Sequence, residues 1–159
     1  MSDYDPAEYG LRIAADYDAI YGDALDTDAA VECLAELVGE GDVLELGIGT
    51  GRLAIPLAER GFRVHGVDAS EAMLARLAAK AGGAAIPVTV GDFTDVSVEG
   101  SFTLVVLAVN TIFALPSQDA QVRCFETAAR HLSSGGRFVV ETWVPDVGRF
   151  SRGGGLWPR

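Results

Sequence analysis

The chain has 159 residues, of which 49% are hydrophobic, so it is long enough to fold as one domain with a substantial core. Its formal net charge of −11 disfavours a nucleic-acid partner, because a phosphate backbone is bound by clustered Lys and Arg. No apolar run reaches the roughly 18 residues that a membrane span requires, and the acidic start from Met1 to Asp5 is unlike a secretory signal. We therefore expect a cytoplasmic protein that binds neither membrane nor nucleic acid.

The cysteines and histidines do not form a metal-binding pattern. Cys33 and Cys124 fall in predicted helices without a second Cys or His at ligand spacing, which predicts reduced, buried thiols and no metal. His65 falls inside a predicted strand, and His131 falls in the last turn of a predicted helix, where a cation complements the helix dipole. We therefore expect structural rather than catalytic roles for both histidines.

Short β-branched runs alternate with helical patterns along the chain. We divide it into an N-terminal helical segment (1–40), a core (41–147) and a flexible tail (148–159). The alternation predicts a doubly wound α/β fold with a mostly parallel sheet. Its five predicted strands are Asp42 to Leu46, Val64 to Asp68, Ile86 to Val90, Phe102 to Val109 and Arg137 to Trp143.

The predicted helices begin at polar or glycine positions and carry apolar stripes at helical spacing. They begin near Asp26 or Thr27, at Gly51, at Ser70 and at Ser117, and they end at Gly39, Arg60, Gly82 and Gly135. We expect the last helix to bury Val122, Phe125, Ala129 and Leu132.

The first strand leads into a glycine-rich turn, Glu45-Leu46-Gly47-Ile48-Gly49-Thr50-Gly51. Alternating glycines permit positive φ and remove side chains where the backbone passes close to a ligand. The dinucleotide fingerprint would need glycine at position 52, which is Arg52, and the Gly-Lys-Ser/Thr of a P-loop is missing. An acid before such a turn suits a ligand with a cationic amino group, which Glu45 can meet directly or through water. The alternative is an ordinary tight strand-to-helix turn.

Carboxylates also follow the second and third predicted strands, at the edge where ligands of such sheets bind. Asp68 can accept hydrogen bonds from both hydroxyls of a ribose. Asp92 can accept from an adenine amino group, and Phe93 or Met73 can pack on the ring. The alternatives are a charge that favours the next helix dipole at Asp68 and an Asx turn at Asp92. Candidate binding residues follow three successive strands, and together they indicate a ligand site more strongly than any one of them does alone.

With these motifs the chain resembles the class I S-adenosylmethionine-dependent methyltransferases, in particular the small-molecule branch called methyltransferase domain 25. The segments that match the family are Val43 to Arg52, Gly66 to Ser70, Gly91 to Phe93, Val109 to Phe113 and Gly135 to Glu141. The resemblance implies that the glycine turn holds the methionine part of S-adenosylmethionine, and that the residues after strand four lie beside the sulfonium. The cofactor-binding residues that it implies are Glu45, Gly47, Gly49, Gly51, Asp68, Ala69, Met73, Asp92, Phe93, Ala108 and Asn110.

Residues 1–40 are similar to a helical lid found in several small-molecule N- and O-methyltransferases. In Tyr17-Asp18-Ala19-Ile20-Tyr21 the two tyrosines stand at i and i+4. They either approach the carboxylate of the cofactor, as the resemblance implies, or form a packing stripe. Tyr17, Tyr21 and Asn110 are the candidates for catalytic residues, and no general base is assigned.

The resemblance implies in-line methyl transfer to a small-molecule acceptor, with S-adenosylhomocysteine as product. The family fold has seven strands, but the residues after strand five predict no further pair, so we expect the last two strands to be missing. The alternatives are a truncated module that binds S-adenosylmethionine without turnover and a nicotinamide-dependent oxidoreductase. The open edge at Phe138 to Val140 predicts a homodimer through strand five.

Overall fold

The computed structural model describes residues 5–22 and 25–144. Its helices are α1 (Glu8–Ile13), α2 (Tyr17–Tyr21), α3 (Thr27–Val38), α4 (Ala54–Glu59), α5 (Glu71–Ala79) and α6 (Gln118–His131). Its strands are β1 (Val43–Leu46), β2 (Val64–Asp68), β3 (Val88–Val90), β4 (Phe102–Leu107) and β5 (Leu132–Val140). The predicted tail, 148–159, lies outside the described residues, as does the chain after Val144 on which the expectation of two missing strands depends.

The five strands form one sheet in the order β3-β2-β1-β4-β5, and every neighbouring pair is parallel. The order reverses between β1 and β4, which places a binding crevice beyond their carboxyl ends. Two separate apolar clusters fill the faces of the sheet, and all four residues of β1 are buried. The prediction of a doubly wound α/β fold is confirmed.

Polar caps fix the beginnings of three helices, as the sequence indicates. The side chains of Asp26, Ser70 and Ser117 accept hydrogen bonds from backbone amides in the first turns of α3, α5 and α6. Each satisfies a donor that would otherwise have no partner.

Strand β5 begins earlier than predicted, directly after α6. Its Leu132 pairs with Phe102 and its Arg137 pairs with Leu104, so the register shifts between these two pairs. Gly135 has a φ of 78°, a conformation that glycine adopts without strain. The glycines that predicted a helix end therefore form an irregularity inside the strand.

The predicted inward face of α6 is wrong for three of its four residues, whereas Leu132, the first residue of β5, packs partly buried against the core. Val122 and Phe125 are 49% and 50% exposed, and Ala129 is also exposed. The buried face instead carries Ala120, Cys124, Thr127, Ala128 and His131. Thr127 donates its hydroxyl to the carbonyl oxygen of Thr94, and His131 Nε2 accepts from the amide of Val98. Because the loop 92–98 supplies these partners, polar residues take the buried side of the helix.

The described residues include neither a metal-binding cluster nor a helix that could cross a membrane. Within 5–22 and 25–144, no three His, Cys, Asp or Glu side chains are grouped to hold a metal ion, and no helix is long and apolar enough for a bilayer. Cys124 is buried as expected, whereas Cys33 is exposed, which corrects the prediction for that thiol.

Candidate functional site

The glycine-rich turn wraps the carboxyl end of β2. Gly47, Gly49 and Gly51 have φ values of 72°, 56° and 84°, so the turn uses the left-handed region at all three. The amides of Gly47 and Ile48 both donate to the carbonyl oxygen of Val67, at 2.7 and 2.9 Å. The turn is therefore fixed by the backbone of the neighbouring strand, and its conformation requires glycine.

Asp68 joins the glycine turn to the end of β2. Its Oδ2 accepts from the Gly49 amide and its Oδ1 from the Ser70 amide, both at 2.8 Å. Burial raises the pKa of Asp68, and these two amides oppose the shift by stabilising the carboxylate. Since each carboxylate oxygen has two lone pairs, Asp68 can accept two further hydrogen bonds. The adjacent Ala69 is partly exposed.

The end of β3 lies beside the end of β2. The amide of Gly91 donates to the carbonyl oxygen of Asp68 at 3.0 Å. Asp92 Oδ1 accepts from the amide of Thr94 at 2.8 Å, which is the Asx turn considered in the sequence. Phe93 packs in the apolar cluster under the sheet and is 8% exposed. Three strand ends thus converge, although the ring of Phe93 is largely committed to the core.

Met73 also lies in the interior near this edge. It is 3% exposed, and its backbone amide donates to the side chain of Ser70. The roles predicted for Met73 and Phe93 against an adenine ring remain predictions.

Glu45 is a buried carboxylate without a complete set of partners. It is 4% exposed, and its Oε2 has no hydrogen-bond partner in the part of the chain described. Burial raises the pKa of Glu45 to about 8, against the opposing effect of the nearby Arg52 guanidinium. An unpartnered carboxyl oxygen in the interior is costly, which marks this position for a ligand.

A small cavity of about 20 Å³ lies between the glycine turn and the residues that follow β4. This volume suffices for about one water molecule. Its lining comprises Tyr17, Glu45, Gly47, Ile48, Thr50, Arg52, Ala108, Val109 and Thr111. A larger groove of about 390 Å³ around 39–42 and 60–63 lies at the opposite rim, where open α/β sheets do not bind ligands.

Helix α2 is attached to the glycine turn by an aspartate. Asp18 Oδ1 accepts from the hydroxyl of Thr50 at 2.6 Å and from Lys80 Nζ at 2.9 Å. These contacts hold Tyr17 over the small cavity, whereas the ring of Tyr21 lies tilted against that of Tyr17, with ring centres 4.9 Å apart, and does not line the cavity. The anchoring role of Asp18 has no local signal, because its partners lie 32 and 62 positions away.

Helix α1 rests on the beginning of α5. A Cβ atom at Gly10 would come within 2.4 Å of Ser70 Cβ, so only glycine permits this approach. Together α1 and α2 cover the candidate site on the side of Ser70 and of Thr50.

The chain turns sharply after β4. Val109 and Asn110 have φ values of 50° and 60°, which are strained for residues other than glycine. Asn110 Oδ1 accepts from the amide of Trp143, so this oxygen is committed to the backbone after β5. Glu141 Oε2 accepts from the Val109 amide at 3.0 Å and from Arg52 Nη2 at 3.1 Å.

Residues 43–136 match the family described as a methyltransferase domain. The chain belongs to this family. A cypemycin N-terminal methyltransferase from Streptomyces sp is 36% identical over 113 residues, which are 71% of this chain and 45% of that protein. The CcbJ methyltransferase from Streptomyces caelestis has a TM-score of 0.78 at 41% identity, covering 86% of this chain and 58% of CcbJ. The glycopeptide N-methyltransferase MtfA complexed with S-adenosylmethionine has a TM-score of 0.63 at 25% identity, covering 70% and 48%.

These comparisons confirm the family resemblance found in the sequence. The chain spans about half the length of the curated relatives it matches. The matched segment of this methyltransferase domain includes the glycine turn, Asp68 and Asp92, whereas Tyr17 and Glu141 lie outside it. Arg52 and Asp18 line or support the site but were not identified as binding residues from the sequence.

Proposed function

We propose that this domain binds S-adenosylmethionine and transfers its methyl group in line to a small-molecule acceptor, releasing S-adenosylhomocysteine. The observation that carries the proposal is the hydrogen-bonded arrangement of three strand ends around Asp68, which contacts Gly49 and, through its carbonyl oxygen, Gly91. MtfA, whose structure contains S-adenosylmethionine, shares the fold, which supports the same cofactor here.

The side chains present fit this cofactor. Glu45, with an unpartnered buried oxygen, would accept the ammonium group, and the free lone pairs of Asp68 would accept the ribose hydroxyls. Asp92 Oδ2 would accept from the adenine amino group. When bound, the cofactor supplies a methyl group that its sulfonium already activates.

The protein's own contribution is alignment and exclusion of water. The residues from Ala108 to Thr111 are proposed to lie beside the reacting atoms, and Tyr17 closes the small cavity from the N-terminal side. Because Asn110 Oδ1 is committed to Trp143, only its amide nitrogen is available to a substrate. We assign no general base, since an unprotonated amine acceptor needs none to attack.

A nitrogen acceptor is favoured by the relatives. The cypemycin enzyme is an N-terminal methyltransferase and MtfA is a glycopeptide N-methyltransferase. We therefore propose an amine on a small molecule or a peptide-like product as the acceptor class.

A second candidate is a module that binds S-adenosylmethionine without turnover. It is favoured by one specific observation: among the described residues β5 is an edge strand, and beside it Val122 and Phe125 of α6 are half exposed. On this proposal 1–40 acts as the lid and 41–147 as the binding core, and the open edge pairs with a second copy. Sedimentation at high protein concentration tests the pairing, and a monomer throughout would contradict it.

Titration with S-adenosylhomocysteine tests the proposed function. Asp68→Ala should weaken binding by about 1.5–3 kcal/mol, or roughly 10- to 150-fold, as expected for hydrogen bonds to a charged group. Asp95→Ala, an exposed carboxylate in the loop after β3, is the matched control and should bind as the parent does. Equal affinities for the parent and Asp68→Ala would contradict the site.

A methyl-transfer assay with a panel of amines separates the two candidates. Transfer from S-adenosylmethionine to any of them supports the enzyme. Tight binding without transfer to any acceptor supports the module without turnover.

A further inference from the structure

The turn after β4 has a backbone conformation that its own residues disfavour. Val109 and Asn110 have φ values of 50° and 60°, and neither is glycine. The left-handed region is uncommon for residues other than glycine, and for a β-branched residue such as valine it is an outlier. Such a conformation persists only where the surrounding structure imposes it. Groups outside the turn therefore hold these two residues in place.

Glu141, which directly follows β5, contacts this turn with three of its groups. Its amide donates to the carbonyl oxygen of Leu107 at 2.9 Å, and its carbonyl oxygen accepts from the Asn110 amide at 3.0 Å. Its side-chain Oε2 accepts from the Val109 amide at 3.0 Å. The first two contacts involve only the backbone of Glu141, and other residues could make them. The third needs a side chain that carries an acceptor, and it holds the valine.

This turn forms part of the wall of the small cavity beside the glycine turn. Ala108, Val109 and Thr111 line that cavity. The Thr111 hydroxyl donates to the carbonyl oxygen of Ala108 at 2.6 Å, and a Cβ atom on Gly47 would lie 2.9 Å from Thr111 Cγ2. Because the turn packs closely on the glycine turn, a change of φ at Val109 would displace the cavity wall.

The side chain of Glu141 has a second partner, which can be separated from the first. Its Oε2 also pairs with Arg52 Nη2 at 3.1 Å, but the Glu141 side chain is 45% exposed and such pairs contribute little to stability. The ion pair needs a negative charge, whereas the hydrogen bond from the Val109 amide needs only an acceptor oxygen. Glu141→Gln removes the charge and keeps an acceptor, and Glu141→Ala removes both.

We propose that Glu141 is a positioning residue for methyl transfer, which acts by holding Val109 and Asn110 in their left-handed conformation beside the reacting atoms. This inference rests on the proposed function and goes beyond it, because it assigns a role to a side chain that acts through the backbone of the turn. Transfer depends on close alignment of donor and acceptor. Cofactor binding depends on the glycine turn and Asp68, whose hydrogen bonds do not involve Glu141.

Methyl-transfer kinetics with an amine acceptor test the proposal. Glu141→Ala should lower kcat about 10- to 100-fold, as expected for a small misplacement of the reacting groups. Its affinity for S-adenosylhomocysteine, measured by calorimetric titration, should stay within a few-fold of the parent's. Glu141→Gln should keep a kcat close to that of the parent. Glu126→Ala, which removes an exposed carboxylate on α6, is the matched control and should behave as the parent does.

Amide hydrogen exchange, followed by NMR, tests the contact without an activity assay. The Val109 amide should exchange faster in Glu141→Ala than in the parent, and it should exchange in Glu141→Gln as it does in the parent. The Gly49 amide, which donates to Asp68, is the internal control and should exchange alike in all three proteins. Unchanged exchange at Val109 in Glu141→Ala would overturn the proposal.

Three kinetic results would also overturn it. A parent-like kcat in Glu141→Ala would show that the turn needs no such support. An equal loss of kcat in Glu141→Gln would assign the effect to the ion pair with Arg52. A loss of cofactor affinity as large as the loss of kcat would show that Glu141 acts through the fold or the cofactor site. If the parent transfers a methyl group to none of the amines tested, the proposed function fails together with the inference, whereas these three results remove the inference alone.

Discussion

The two halves of the sheet differ in how completely their carboxyl ends are enclosed. The ends of β1, β2 and β3 are joined by backbone hydrogen bonds, and α1 and α2 cover the side of Ser70 and Thr50, whereas Val90 at the end of β3 is 55% exposed. Around β4 and β5, the side chains of Phe113, Trp143 and Val144 are 61%, 67% and 78% exposed. Among the described residues, the first half is therefore the more enclosed around β1 and β2, and the second half is the more exposed.

On the proposed function, the first half binds the cofactor and the second half binds the methyl acceptor. The cofactor half is built from about fifty consecutive residues whose turns fix the backbone, so its ligand is set by short motifs. The acceptor half depends on strand ends that are far apart in the chain. A change in the first half should therefore alter stability and cofactor affinity strongly, and a change in the second should alter self-association more than folding.

The largest effect is expected at Glu45, the least satisfied group of the enclosed half. Its pKa is raised from 4.5 in the unfolded chain to about 8 in the fold, mainly by burial, with Arg52 opposing the shift and Asp68 and Glu141 adding to it. The contribution of protonated Glu45 to the free energy of unfolding is therefore fully present below pH 4.5, and it is lost as the pH rises to about 8. This loss amounts to something on the order of 4 kcal/mol.

Glu45→Gln should remove that dependence. Urea unfolding at pH 5 and pH 8 should show that the variant gains stability relative to the parent at the higher pH, while its affinity for S-adenosylhomocysteine falls because the ammonium loses its charged partner. If the free energy of unfolding changes with pH in the same way for parent and variant, Glu45 is not a buried acid with a raised pKa.

A substitution at Gly51 tests how strongly the fold of the enclosed half depends on the glycine-rich turn. Its φ is 84°, and a Cβ atom there would lie 2.3 Å from Leu77 Cδ1 in the core. Gly51→Ala should destabilise the fold by about 2–4 kcal/mol through backbone strain and overpacking. Gly39→Ala shares a positive φ but meets no atom within 4 Å, so it should cost only about 1–2 kcal/mol. Equal losses in denaturant unfolding would mean that packing at Gly51 is unimportant.

A substitution at Gly10 tests how firmly α1 packs on the enclosed half. The alanine Cβ would collide with Ser70, so Gly10→Ala should displace α1 at a cost of about 1–3 kcal/mol. Limited proteolysis should cut the N-terminal segment faster in this variant than in Leu11→Ala, which changes a side chain that is 71% exposed on the same helix. The same cleavage rate in both would indicate that α1 does not depend on this contact.

The smallest effect on folding is expected on the open half. Phe125 is half exposed and contacts Phe138 edge-on with ring centres 5.1 Å apart. Phe125→Ala should cost only about 0.5–1.5 kcal/mol while reducing any self-association seen by sedimentation. Unchanged self-association would place the contact between copies elsewhere.

Much of the fold follows from local sequence, and the exceptions share one cause. The carboxyl ends of β1, β2 and β3 and the caps at Asp26, Ser70 and Ser117 depend on neighbours within a few positions, and they were predictable. The buried face of α6 was not, because Thr127 and His131 find their partners in a loop 33 positions away.

The same cause explains the site residues that were missed. Arg52 pairs with Glu141 across 89 positions, so its part in the site has no local pattern. In the sequence it served only to exclude a dinucleotide motif. The glycine turn and the carboxylates at 45, 68 and 92 were predictable because each directly adjoins or ends a strand.

The proposed function requires that the ends of β1, β2 and β3 bind one adenosyl amino acid. The most direct measurement is a set of backbone amide NMR spectra recorded as S-adenosylhomocysteine is added to the labelled protein. We expect the largest shift changes at Gly47, Gly49, Asp68 and Asp92, with little change at Val122 and Phe125 on α6. Changes confined to α6 or to the opposite rim around Gly39 and Arg63 would contradict it.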